Sequence, residues 1–343
     1  MKKKNKIVVI IGPTASGKSE LGVRIAKKFN AEIISADSRQ VYKGLDVGSG
    51  KVRGKWVPHK RSKDLNRGEY YHKGIRHHCL DIADPKKIFT AADFVACGRR
   101  AIVDILTRGK TPIIVGGTGF YIDALLGRVR LAPVPPNPVL RKKLRNYSTT
   151  QLFNYLIKLD PQRAETIDSK NPRRLIRAIE IAQAQLTQHQ TLERVLRPKR
   201  AWFFRKAKKS EGRNLETRAL GATKKVKEID AASIKTVWLG IQRSPENLKK
   251  RIHTRLIKRL PGIIREVRAL HAKGLSWKRL YDFGLEYRYV SLYLRGKLKA
   301  PLSSKLQTAI GHYAKRQMTW WRKNKEIRWI QTYRETQCII PKN

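Results

Sequence analysis

Residues 7–19 read Ile7-Val-Val-Ile-Ile11-Gly12-Pro13-Thr14-Ala15-Ser16-Gly17-Lys18-Ser19. Five apolar residues, mostly β-branched, predict a short buried strand. The spacing from Gly12 to Gly17, Lys18 and Ser19 fits G-x-x-x-x-G-K-[ST], the phosphate-binding P-loop. Leu21, Ile25 and Phe29, four apart, predict an amphipathic helix directly after it. Gly12 and Gly17 permit backbone angles that a Cβ forbids. The loop can then turn its N–H groups onto phosphate oxygens at the positive end of that helix. Lys18 adds a point charge, and the Ser19 hydroxyl is placed to hold Mg²⁺. The motif selects a phosphate or diphosphate. It does not say whether ATP or another carrier brings it.

The chain has 343 residues, 41% of them hydrophobic, enough to fill a sizeable core. Its 76 Lys+Arg against 26 Asp+Glu give a formal charge of +50. Such a surplus repels itself unless a polyanion shares the surface, with nucleic acid the first candidate and an anionic membrane the second. Cys79, Cys97 and Cys338 are far apart and lack metal-ligand spacing, so each reads as a small buried apolar residue. The basic start, Met1-Lys-Lys-Lys-Asn-Lys6, precedes too few apolar residues for a secretory signal. No stretch approaches a membrane span. A reducing, cytoplasmic setting with no membrane partner is expected.

Further on, Ile33 and Ile34 predict a second strand, with Asp37 and Ser38 at its carboxyl end, where open α/β sheets bind ligands. Asp37 there is either a functional carboxylate, holding Mg²⁺ through water or taking a proton, or a turn cap. Residues 51–76 are basic and lack apolar periodicity, which predicts a surface loop. His72, His77 and His78 have no matching metal partner. His77–Ile82 reads as a third strand and residues 91–108 as a helix. Thr111-Pro-Ile-Ile-Val-Gly-Gly-Thr118-Gly119 is another buried strand running into glycines, with the Thr118 hydroxyl at its end. No acidic residue ends that strand, which argues against a motor ATPase.

Four prolines between Pro133 and Pro138 mark a boundary. Residues 139–197 then read as helical, with Asn171-Pro172 a helix start. Leu175, Ile179 and Ala182 give the buried stripe, and Arg173, Arg174 and Arg177 an exposed one. Residues 198–228 read as a basic arm. Thr236–Ile241 reads as the last core strand, followed by a basic helical run broken at Pro261-Gly262. Tyr313–Arg322 combines bases and aromatics on one helix, a mixture suited to RNA.

Together these stretches resemble one family, the bacterial tRNA dimethylallyltransferases (tRNA isopentenyltransferases). The residues that carry the resemblance are Gly12–Ser19, Ala36-Asp37-Ser38-Arg39-Gln40-Val41-Tyr42-Lys43-Gly44-Leu45-Asp46-Val47-Gly48, Leu80-Asp81-Ile82, Val115–Gly119 with Tyr121, Asn171–Leu175 and Tyr313–Trp320. They follow the family's order over nearly the whole chain. The resemblance implies an α/β fold: a P-loop, nucleotide-kinase-like core with a parallel sheet over residues 1–131, completed by residues 234–343 with C-terminal helices. It implies a helical insertion gripping tRNA at 132–200, followed by a basic loop at 201–233. The implied partners are dimethylallyl diphosphate as donor, a tRNA anticodon stem-loop as acceptor through N6 of its adenosine 37, and Mg²⁺ as cofactor. The expected protein is a monomer.

The resemblance also implies roles. Gly12, Pro13, Thr14, Ala15, Ser16, Gly17, Lys18 and Ser19 cradle the diphosphate, with Ser19 on the metal. Asp37 is the general base. Thr118 bonds near the reacting adenine or diphosphate, and Arg268, in Val-Arg-Ala-Leu, lies near the diphosphate. Asp37, Ser38, Arg39, Gln40 and Thr118 line the pocket for the turned-out adenosine. Arg141, Arg173, Arg174, Leu175, Ile176, Arg177, Tyr287 and Arg288 match tRNA-contacting positions.

The chain departs from the family in four places. It keeps Lys51 but reads Gly48-Ser-Gly-Lys-Val52 for Gly-Thr-Ala-Lys-Pro, and its 53–75 loop is longer. Glu286 stands where Ile-Gly-Tyr-[KR] has Gly, and 198–228 has no counterpart. A P-loop small-molecule or nucleoside kinase would share the P-loop and Asp37 but needs no +50 charge. A non-catalytic RNA-binding protein would not need Lys18, Ser19, Asp37 and Thr118 intact.

Overall fold

The computed structural model describes residues 6–58, 68–202 and 235–339, leaving aside the side chains of 188–202 and 337–338. Two compact units result, one from residues 1–130 with 227–343 and the other from residues 131–226. The basic arm expected at 198–228 falls mostly outside the described residues.

In the first unit the strands are β1 (Lys6–Ile11), β2 (Ala31–Ala36), β3 (Lys55–Pro58), β4 (Gly68–His72), β5 (Ile75–His78), β6 (Thr111–Gly116), β7 (Lys235–Ile241) and β8 (Arg328–Ile330). They form one sheet in the order β3-β4-β5-β2-β6-β1-β7-β8. From β5 to β8 every pairing is parallel, for example Val9 with Ile114 and Ser35 with Val115. Their central residues are buried on both faces, which explains unbroken apolar runs instead of alternation. Because β6 lies between β1 and β2, the carboxyl ends of these three strands open side by side, where ligands bind in open α/β sheets.

Three sequence expectations change here. Residues 51–76 are not a plain loop, since β3 and β4 pair antiparallel and extend the sheet beyond β5. The apolar signal was carried by aromatics among bases: Tyr70 is buried, and its hydroxyl donates to Val52 O at 2.6 Å and accepts from Gly54 N at 2.9 Å. β5 ends at His78 because Cys79 (φ 55°) and Asp81 (φ 58°) leave the extended region. β7 is not the last strand, because β8 pairs beside it.

α1 (Lys18–Lys28) covers one sheet face, packing with Val8, Ile10 and Ile33. α2 (Ala91–Thr107) and α3 (Gly119–Leu125) cover the other, around Phe94, Trp238 and Trp321. α8 (Pro245–Ala272), α9 (Trp277–Phe283), α10 (Leu285–Leu294) and α11 (Leu302–Trp321) share a further core with Val41, Tyr42 and Leu45. Pro261-Gly262 does not break α8. Ile252, Leu256, Ile263, Val267 and Leu270 are buried on both sides of it, and this packing outweighs the lost hydrogen bond at Pro261. Cys79 Sγ lies 2.6 Å from Cys97 Sγ on α2, so the two are not isolated, while the Cys338 side chain lies outside the described residues.

The second unit consists of α4 (Pro138–Leu144), α5 (Thr149–Leu159), α6 (Pro161–Thr166) and α7 (Pro172–Trp202) around Leu144, Leu152, Leu156, Leu175 and Ile179. The Asn171 Oδ1 accepts Arg174 N at 3.3 Å, as the Asn-Pro start predicts. Two of the residues expected to contact tRNA have internal partners. Leu175 is fully buried in this core, with Ile176 partly buried against it. Arg177 does not share the exposed stripe of Arg173 and Arg174. It bonds Glu180 at 3.0 Å and Val134 O at 2.6 Å, while Arg141 grips the same carboxylate at 2.6 and 2.7 Å.

Candidate active site

The P-loop leaves β1 through Gly12 (φ 146°), where a Cβ would approach Ile241 O to 2.9 Å. Gly17 (φ 104°) caps α1 without a side chain, leaving the first N–H groups of the helix free for an anion. Lys18 Nζ donates to Pro13 O at 2.7 Å. Burial, reinforced by Arg255 and opposed by Asp37, lowers the Lys18 pKa to about 7. Arg251 Nε donates to Ala15 O at 2.8 Å and braces the loop from α8. The Ser16 hydroxyl is buried and has no hydrogen-bond partner among the described residues. Free helix N–H groups, a desolvated ammonium and neighbouring guanidiniums make this loop suited to an anion.

Two cavities meet at this loop. One, of about 270 Å³, is lined by Thr14, Lys18, Ser19, Asp37, Arg255 and Gln317 among others. The second, of about 460 Å³, is lined by Ser38, Arg39, Glu286, Tyr287, Arg288 and Arg316 among others. Thr14, Asp37, Ser49, Arg255 and Tyr313 line both. Ser19 and Asp37 offer hard oxygen donors to one cavity, which suits Mg²⁺.

Asp37 satisfies both readings of its position. Its Oδ1 accepts Arg39 N at 2.9 Å and Gln40 N at 3.3 Å, which is the turn cap. Its Oδ2 has no hydrogen-bond partner among the described residues and stays available to a substrate. The Thr118 hydroxyl accepts Ser38 N at 3.1 Å and does not line either cavity, so Thr118 positions the segment carrying Asp37. Arg39 Nε donates to Phe283 O, and Gln40 Nε2 reaches Ser49 O at 3.4 Å. Tyr287 is 1% exposed; its hydroxyl donates to Glu266 at 2.8 Å and accepts from Ser49 N at 3.1 Å. It therefore acts mainly as a wall.

Arg268 does not join the site. It is exposed on α8, thirteen residues beyond Arg255, or about 20 Å of helix. Arg255 holds the place expected of Arg268. Near that end of α8, Glu266 holds the 46–48 loop, its carboxylate accepting the N–H groups of Asp46, Val47 and Gly48. Lys51 secures the same loop by pairing with Asp46 and Asp81, both at 2.6 Å. Glu32, His78 and Asp104 come close enough to share a metal, but Arg76, Arg108 and Lys110 already occupy those carboxylates. Burial opposes ionisation of Glu32, yet hydrogen bonds from Arg108, His78 and Lys110 hold its carboxyl far below the usual range. That cluster is structural.

A family model described as IPP transferase matches residues 40–324, and one described as isopentenyl transferase matches residues 5–62. The chain belongs to the IPP transferase family. It is 37% identical to a protein named tRNA dimethylallyltransferase 1 from Syntrophus aciditrophicus, over 95% of this chain and 93% of that one. A second protein of that name, from Geotalea uraniireducens, is 35% identical over 95% and 92% of the two chains. The solved tRNA isopentenylpyrophosphate transferase from Bacillus halodurans is 28% identical, with a TM-score of 0.59 over 96% of this chain and 90% of that one. A eukaryotic dimethylallyltransferase acting on tRNA shares the fold, with a TM-score of 0.65 at 22% identity over 97% and 75% of the chains.

Within this IPP transferase, Gln317 and Arg255 are the site residues that sequence reasoning missed. Gln317 Oε1 accepts Thr14 N at 2.8 Å, and its Nε2 donates to Gly117 O at 2.8 Å. A glutamine four residues after Tyr313, on the buried face of a helix, was the available signal. Arg255 had none, being one of several arginines on a basic helix. No helix among the described residues is long and apolar enough to cross a membrane.

Proposed function

We propose that this protein transfers the dimethylallyl group of dimethylallyl diphosphate to N6 of adenosine 37 in tRNA, releasing diphosphate. The observation that carries the reading is the meeting of the two cavities at Asp37 and Arg255, with a phosphate cradle on one side. The diphosphate belongs in the P-loop cavity, under the N–H groups at the start of α1, with Lys18 and Arg255 beside it. The acceptor base, turned out of its stack, belongs in the larger cavity.

The chemistry follows from this placement. The N6 lone pair is delocalised into the purine ring, so the amine is a weak nucleophile. The reaction therefore depends on departure of the diphosphate. Lys18, Arg255 and the helix N-terminus stabilise the charge that develops on it. Ser19 would hold Mg²⁺, which when bound supplies further charge neutralisation. The N6–C bond forms as the C–O bond to diphosphate breaks, and N6 becomes acidic. The free Oδ2 of Asp37 takes the proton. The +50 charge suits a tRNA backbone. A cytoplasmic, monomeric enzyme completes the reading.

The test is incubation with labelled dimethylallyl diphosphate, Mg²⁺ and an unmodified anticodon stem-loop bearing A36-A37-A38, followed by nucleoside analysis. Label on N6 of the central adenosine is expected. ATP turnover on a small acceptor without such label would move the assignment to a kinase.

A further inference from the structure

Glu286 is an acidic side chain set among the arginines around the larger cavity. It lies in the first turn of α10, where Gly284 (φ 79°) and Leu285 (φ 38°) turn the chain out of α9. It lines the larger cavity together with Asp37, Arg255 and Tyr313. The charged and titratable groups around it include Arg255 and Arg259 from α8, Asp37 from the end of β2, Tyr287 from α10 and Tyr313 from α11. No Lys or Arg among the described residues forms a direct ion pair with its carboxylate. Burial pushes the Glu286 carboxyl upward, opposed by Arg259 and Arg255; Arg259 is already held by the carbonyls of Val47 and Gly48, which leaves Arg255 as the cation without a protein acceptor among the described residues.

Arg255 is in the complementary position. Burial, with repulsion from Arg259, lowers its pKa to about 10, and Glu286 opposes that fall more than Asp37 does. No hydrogen bond from a described residue holds its guanidinium, which packs against Gly50. It lines the P-loop cavity as well as the larger one. Arg255 therefore lines both the cavity that holds the Glu286 side chain and the phosphate cradle.

We propose that Glu286 is an internal counter-anion for Arg255 that competes with the donor diphosphate for this guanidinium. The inference rests on the function proposed above, since the competing anion is the donor's diphosphate. In the free protein Glu286 offsets part of the charge of Arg255 and Arg259. An entering diphosphate must share Arg255 with it and is repelled by it. The same competition recovers Arg255 as the product diphosphate leaves. Glu286 is thus a positioning residue that weakens ground-state phosphate binding and favours release.

The experiment is calorimetric binding of inorganic diphosphate with Mg²⁺ to the wild type, E286Q, E286G, R255Q and E286Q/R255Q, with thermal unfolding as a check on folding. E286Q is nearly isosteric, and E286G removes the side chain. Both should tighten binding roughly tenfold, the scale of one opposing charge at partly buried range. The gain should vanish in the Arg255→Gln background. Unchanged or weaker binding by folded E286Q overturns the proposal. So does an equal gain without Arg255, which would make Glu286 a general field and not a competitor. Weakening by E286Q only when Mg²⁺ is present would make it a metal ligand and would also overturn it. A wild type that binds no diphosphate overturns the proposed function itself, whereas wild-type binding with unchanged E286Q overturns this inference alone.

Discussion

Gln317 joins α11 to the P-loop by accepting the Thr14 N–H at 2.8 Å, while its amide nitrogen donates to Gly117 O at the end of β6. One buried carboxamide thus ties the phosphate loop to the neighbouring strand. Gln317→Ala leaves a buried donor and acceptor unpaired, at about 1–3 kcal/mol. We expect a lower unfolding temperature and weaker diphosphate binding. Gln317→Glu should keep the Thr14 bond but set a carboxylate oxygen against Gly117 O and beside the diphosphate, so its binding should be weaker still than that of Gln317→Ala. Diphosphate affinity unchanged in Gln317→Ala would show that the loop holds its shape without this link.

Lys18 has a pKa of about 7 in the free protein because it is buried beside Arg255. A bound diphosphate restores the charge, so binding above pH 7 should take up close to one proton. Calorimetry in buffers of different ionisation enthalpy measures this directly. The sign for folding follows from the same shift. The unfolded lysine holds its proton up to its ordinary pKa of about 10.4, so the Lys18 contribution to stability rises with pH across that window. Absence of proton uptake at pH 8 would contradict the desolvated ammonium.

Asp37→Asn retains the Oδ1 acceptor that caps Arg39 and Gln40 but loses the basic oxygen. Turnover should fall by about 10²–10⁴, with stem-loop affinity changed less than about threefold. Rapid-quench turnover and filter binding give the two numbers. Equal losses in both would assign Asp37 to binding.

Glu180 is fully buried and holds Arg141 and Arg177, each about one-third exposed. Burial alone would raise the Glu180 carboxyl, but Arg141, the Asn137 N–H and Arg177 bring it below the usual range. Glu180→Ala frees two cations from their buried partner and should cost the second unit about 2 kcal/mol after allowing for solvent screening. Calorimetric unfolding should show that loss, and stem-loop binding should weaken only as the unit melts. A large affinity loss at full stability would return Arg141 and Arg177 to direct RNA contact.

Binding of the stem-loop should weaken steeply with salt, through counterion release from many phosphate contacts. A log–log plot of affinity against salt should have a slope of several units. A flat plot would remove RNA as the explanation of the +50 charge.

Much of this was legible in the residues themselves. Ile7–Ser19 specified strand, loop and helix because a P-loop is local: its glycines, lysine and serine act within a few residues of one another. The Asp37 turn was equally local, and so was the Asn171-Pro172 helix start. The second-unit core at Leu175 and Ile179 followed from helical periodicity, which one stretch of chain can carry. Interactions between distant segments left no such trace. The aromatic hairpin at 55–72 was hidden in a basic composition, and α8 continued through Pro261 because packing on both sides outweighed a local rule.

The sequence alone therefore determined where a loop of phosphate-binding pattern lies and that the chain carries a charge suited to a polyanion. Only the tertiary structure decided that Arg255, and not Arg268, faces the cradle, because one helix presents its arginines to different surroundings. It also placed Gln317 on Thr14 and brought Glu286 and Arg255 to the lining of one cavity. It brought Cys97 to Cys79 and turned Arg141 and Arg177 onto Glu180. Each of these depends on how separate helices and strands pack, and side-chain spacing along the chain carries no information about that until the chain has folded.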